Sequence, residues 1–167
     1  LHNSAGWGYG ELVERVRGLG VKIYGSGSGD GEIKHKDVPE KLSRTLAFVH
    51  MKSSDAPGYA LYEAIAAGVP LVIPRRLIRR MHMEELFFDG ETCLCFDVYS
   101  DKRGAHPPHD PDECVREIGV HLASLQDRAM NRKIGLAARD RLDALMWSDK
   151  HALDVELFRT WLEGGNA

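Results

Sequence analysis

The chain has 167 residues, 43% apolar and 28% charged, with a formal net charge of −3. That length and balance describe one soluble globular domain, expected to span residues 1–167, that buries a core without staples. The acidic balance excludes a nucleic-acid binder working through a basic face, and no apolar run approaches the roughly 18 residues of a transmembrane segment.

In chain order, residues 11–17 place Leu12, Val13 and Val16 at helical spacing, and Gly18 and Gly20 end that helix. Val21-Lys22-Ile23-Tyr24 is a short strand running into a glycine-rich loop at 25–31. Residues 38–45, with Pro39 near their start, form a short helix. The apolar run 46–51 predicts a strand buried on both faces of a parallel sheet. A polar turn at 52–58 leads into a helix over 59–67, which Gly68 and Pro70 terminate.

Residues 71–73 form the next buried strand, followed by Pro74 and a basic helical stretch at 75–82. Residues 83–88 also read as helical, Asp89-Gly90 as a turn, 92–96 as a strand and 97–109 as an irregular loop. Asp110, Pro111 and Glu113 supply the cap, first-turn proline and third-position acid of a helix start. That helix brings Cys114, Ile118, Leu122 and Leu125 onto one face, and two more helices are expected over 131–145 and 148–162. Short buried strands alternating with helices mean an α/β fold: a Rossmann-like parallel sheet with helices on both faces. Ligands of such sheets gather at the carboxyl ends of the strands, which lines up residues 25–31, 52–58 and 74–80 along one rim.

The three cysteines, Cys93, Cys95 and Cys114, are an odd number with no disulfide framework, so reduced thiols and a cytoplasmic setting are expected. Nothing at the start resembles a signal peptide. The chain opens on Leu1 rather than Met, as a piece of a longer protein cut at a domain boundary would. Cys93 and Cys95 alternate along a strand and share a face, which suits core packing. Neither they nor His106 and His109 have the partners a zinc site needs, so no metal is expected. The loop from Gly25 to Gly31 puts Asp30 where a dinucleotide fingerprint requires its third glycine, and no helix opens there. No Walker-type ending and no G-x-S-x-G elbow occurs.

The chemistry concentrates between Asp55 and Pro70. Asp55 lies in the loop before a helix, and seven residues separate it from Glu63 inside that helix. Gly58 lets backbone approach a ligand closely, and the N–H groups of Tyr59, Ala60 and Leu61 open toward an anion at the helix start. A phosphate or diphosphate is the natural occupant, with the two carboxylates placed to accept hydrogen bonds from hydroxyls. Gly68 and Pro70 alone would be an ordinary helix stop; the paired acids and the ordered flanks make the difference. Arg75, Arg76, Arg79 and Arg80 concentrate positive charge after the 71–73 strand, which suits either anion contact at the rim or a solvated helix face, with at most one or two of the four pointing inward.

Asp55, Gly58-Tyr59-Ala60 and Glu63-Ala64-Ile65-Ala66-Ala67-Gly68-Val69-Pro70 resemble the Glu-x7-Glu region of the family-4 group of retaining glycosyltransferases, whose fold is GT-B. The flanks resemble that family in order: the strand and loop from Val21 to Gly27, the turn and strand from Asp89 to Asp97, and the closing segments at Ala137-Ala138-Arg139 and Trp147-Ser148. The chain departs from the family pattern in carrying Asp at the first acid, in a diluted glycine-aromatic-glycine step beside Pro57, and in lacking a clear match for the basic pair that neutralises the diphosphate.

The resemblance implies a nucleotide-sugar donor (UDP-, GDP- or ADP-sugar), no cofactor, transfer with retention, and an N-terminal acceptor domain as partner. It implies that Glu63 binds the donor ribose, Asp55 the hydroxyls of the transferred sugar, and Gly58, Tyr59 and Ala60 the phosphates. Gly25 and Gly27 would border the donor, His35 and Asp37 the nucleotide base, and Lys52, Arg75 or Arg79 would take the place of the basic pair. Two rivals share the fold: half of a sugar-nucleotide epimerase, and a non-catalytic interaction module.

Overall fold

A computed structural model describes residues 10–24, 30–51, 59–80, 82–97 and 111–146. The helices expected over 59–67 and 131–145 are present as α3 (Tyr59–Ala66) and α6 (Arg128–Met146). Before them come α1 (Gly10–Arg17), a 3-10 turn (His35–Asp37) and α2 (Val38–Ser43); α4 (Arg75–Arg80) and α5 (Pro111–Ser124) lie between. Among the described residues three strands, β1 (Phe48–Val49), β2 (Leu71–Pro74) and β3 (Leu94–Phe96), form a parallel sheet in the order β1-β2-β3. Phe48 pairs with Leu71, and Val72 and Ile73 pair with Leu94 and Cys95. The helix expected over 148–162 lies outside the described residues.

Side-chain alternation along the strands divides the core in two. Val72, Leu94 and Phe96 point to one face, where Val16 of α1 and Cys114 and Ile118 of α5 cover them. Leu71, Ile73, Cys93 and Cys95 point to the other, against Leu61, Ala64 and Ile65 of α3, Ile78 of α4 and Ala138 of α6. The sheet is therefore flanked by helices on both faces, as its continuous apolar strands require. Cys93 and Cys95 share the second face, with sulfurs 3.7 Å apart and buried.

Among the described residues β3 is the last strand of the ladder, and α5 and a turn supply partners for backbone groups of Cys95 and Asp97. The Cys95 N–H donates to Asp89 Oδ1 at 2.9 Å, and the Asp97 N–H donates to Glu117 Oε2 at 2.9 Å. The Cys95 carbonyl lies 2.9 Å from His121 Nε2.

Two expectations need correction. Residues 21–24 join no ladder among the described residues. Ile23 is buried in the first core face, but its N–H goes to the Asp30 carboxylate at 2.7 Å instead of to a neighbouring strand. Residues 83–88 make turns in place of a helix. His82 leaves α4 with a left-handed φ of 52°, and the N–H groups of Leu86 and Phe87 both return to the Met83 carbonyl at 3.0 Å. The buried Thr92 hydroxyl then donates to the Leu86 carbonyl at 2.9 Å and accepts the Phe88 N–H at 2.8 Å, replacing the helical ladder. The strands at 46–51 and 92–96 are also shorter than their apolar runs, with a single bridge between Asp89 and Cys93 ahead of β3.

Candidate functional site

In a parallel sheet each crossover helix begins near the carboxyl edge it has just left. α4 begins at Arg75, directly after the last residue of β2. α3 begins at Tyr59, after the chain has passed the carboxyl end of β1. The amino termini of α3 and α4 thus follow the carboxyl ends of β1 and β2, the side of a parallel sheet where ligands of this fold bind.

α3 is an apolar helix that keeps its inner face in the core through Leu61, Ala64 and Ile65. Its far end closes in a Schellman arrangement. The Gly68 N–H donates to the Ile65 carbonyl and the Val69 N–H to the Ala64 carbonyl, both at 2.9 Å, with Gly68 at φ +69°. Its near end carries two exposed side chains. Tyr59 is 89% exposed and Ala60 is exposed, and the first turn contains no acidic side chain. The positive end of the helix dipole and its amide groups thus meet no negative side chain of their own turn.

Glu63 lies one turn further in, with its side chain 28% exposed, and its Oε1 is 3.2 Å from Nδ1 of His35. The imidazole is 91% exposed and comes from the 3-10 turn, whose Asp37 N–H closes on the Lys34 carbonyl at 2.8 Å. Two residues placed in the donor region from sequence are therefore in contact. Nothing in the sequence announces that contact, since the two belong to separate elements.

Arg75 opens α4, and its guanidinium lies 2.8 Å from Asp89 and 3.4 Å from Asp97, which follows β3. The hydrogen bond to Asp89 holds the Arg75 pKa above its ordinary value against a smaller opposing effect of burial. Burial raises Asp89, but the Cys95 N–H and the Arg75 guanidinium outweigh it and hold the carboxyl below its usual range. The group is a clamp joining the carboxyl ends of β2 and β3. Sequence reasoning missed both acids, although each stands at an element boundary where a rim group is expected. Leu77 and Ile78 anchor α4 in the core, leaving Arg79 exposed and Arg76 half-buried.

Asp55, Lys52, Gly58, Gly25 and Gly27 lie outside the described residues, as do His106 and His109. Of the residues expected to meet the donor, the structure brings together His35 and Glu63 and places Tyr59 and Ala60 at the mouth of the same helix. Arg75 stands at the next helix start, engaged with its two acids. Among the described residues, no group of three or more His, Cys, Asp or Glu side chains is placed to hold a metal ion. No helix among them is long and apolar enough to cross a membrane.

A family model described as glycosyl transferase-like matches residues 10–152, a span that contains every element from α1 to α6. No curated protein and no solved structure matches the chain.

Proposed function

The chain belongs to the glycosyl transferase-like family, and from that premise we propose that it is the donor-binding half of a GT-B glycosyltransferase. In this reading an N-terminal domain of the same protein supplies the acceptor. The observation that carries it is the placement of Glu63: a half-sheltered carboxylate one turn inside a helix whose exposed first turn has no acid. That combination suits a nucleoside diphosphate, with phosphate oxygens at the amide end and ribose hydroxyls at the carboxylate.

In this proposal the backbone at Gly58, Tyr59 and Ala60 holds the diphosphate, and Asp55 accepts hydrogen bonds from the transferred sugar. Lys52, Gly25 and Gly27 complete the surroundings, with His35 on the nucleoside side. The helix-terminal amides oppose the negative charge that grows on the leaving diphosphate, which lowers the barrier without a metal ion. Closure of the two domains excludes water and brings an acceptor hydroxyl to the sugar carbon. Transfer with retention follows the resemblance to family-4 enzymes. Arg75 reaches the diphosphate in this scheme only by loosening its hold on Asp89 or Asp97.

Calorimetric titration with UDP-, GDP- and ADP-sugars tests the proposal. One donor class should bind, and Glu63→Ala should weaken it at least about tenfold, the cost of a lost hydrogen bond to a charged group. Silence across the whole panel would sink the donor reading and favour a non-catalytic interaction module.

A further inference from the structure

We propose that His35 is a positioning residue for the Glu63 carboxylate, holding Oε1 so that the other oxygen is presented to the donor. The inference rests on the donor reading and adds to it a division of labour within the pair. A glutamate side chain has three rotatable bonds and, at the surface, samples many orientations. Here one oxygen is engaged by imidazole Nδ1 at 3.2 Å, which restricts the carboxylate before any ligand arrives. Both ends of the contact are anchored by backbone structure. Glu63 sits in a helix closed at its far end by the Gly68 arrangement, and His35 sits in a turn closed by Asp37 and Lys34.

The exposure of the two partners decides what the contact is for. His35 is 91% exposed and takes no part in the core, and surface pairs of this kind contribute little to stability. Its removal therefore leaves the fold intact, and its effect falls on the partner. Imidazolium donates through Nδ1–H, more strongly, and neutral imidazole does so in its Nδ1–H tautomer, so the contact serves in either protonation state. His35 stands between Lys34 and Lys36, both exposed, yet it is the imidazole that reaches Glu63. Preorganising one binding group lowers the ordering cost of the complex and shows as affinity.

The test is a double-mutant cycle on donor affinity, using whichever UDP-, GDP- or ADP-sugar the chain binds most tightly. His35→Phe keeps an aromatic ring and removes the N–H; it should weaken binding about three- to fivefold while the melting temperature stays unchanged. His35→Asn, whose amide N–H stands close to the position of Nδ1, should restore most of the affinity. In a Glu63→Ala background, His35→Phe should cost nothing further. A His35→Phe loss that persists there, a loss that Asn does not rescue, or no loss at all overturns the positioning role. A chain in which Glu63→Ala has no effect, or in which no donor binds, overturns the donor reading and the inference with it. Loss with Glu63→Ala alone overturns only the inference.

Discussion

Gly135 of α6 lies directly against the carbonyl of Gly68, the residue that closes α3, with no room between them for a methyl group. A Cβ on Gly135 would overlap the Gly68 carbonyl oxygen and stand 2.8 Å from its carbon and 3.2 Å from Pro70 Cδ. In an open helix interior, alanine in place of glycine stabilises by about 1 kcal/mol. Here the obstructing atoms are backbone and a proline ring, which cannot step aside. Gly135→Ala should therefore destabilise by about 1–3 kcal/mol, the usual cost of overpacking. A melting temperature lower by several degrees is the expected reading. An unchanged or raised value would mean that α6 shifts off α3 at little cost.

The Arg75 clamp makes a pH prediction. The Asp89 carboxyl is held below its ordinary value in the folded chain, so its contribution is present above the carboxylate range and is lost as pH falls through the depressed folded value. Arg75, raised from an already high value, stays charged throughout. Asp89→Asn should cost about 1 kcal/mol at neutral pH, a modest figure because the pair is partly exposed and screened by solvent. Urea unfolding from about pH 7 down to about pH 3 should show wild type and variant converging in acid. Equal stability at neutral pH, or a gap that widens toward acid, would remove the clamp from the account.

Cys93 should resist alkylation in the native chain. Hydrogen bonding with Cys95 and burial push its pKa far above the ordinary thiol range, and the thiolate is the reactive form. Iodoacetamide at neutral pH should label Cys93 only after denaturant is added, as mass spectrometry of the digested protein would record. Rapid labelling of folded protein at this position would place the 3.7 Å sulfur pair at an accessible surface and contradict its packing.

The elements that could be read beforehand are those whose signals are local. α3 ends where Gly68 and Pro70 require, because left-handed backbone and a missing N–H act at the residue that carries them. The inner face of α5 follows from spacing: Cys114 and Ile118 recur on one side of the helix and are buried, with Leu125 buried just past its end. The run at 21–24 has the residues of a strand, but ladder membership also needs a partner, and Asp30 takes the Ile23 N–H instead. Residues 83–88 have helical spacing, yet the Thr92 hydroxyl competes for the same backbone groups from beyond the segment.

The candidate site divides along the same line. The place of Glu63 one turn inside a rim helix was legible, because a sheet crossover fixes where its helix begins. The destination of Arg75 was not. A guanidinium beside a binding rim serves a phosphate or a carboxylate equally well, and Asp89 and Asp97 come from segments further along the chain.

Sequence alone determined the fold class and the two-faced burial of the strands, since periodicity and turn chemistry belong to the residues themselves. Tertiary structure decided which charges meet: His35 with Glu63, Arg75 with Asp89 and Asp97. Attraction between side chains depends on distance through space, and only the packed chain sets those distances.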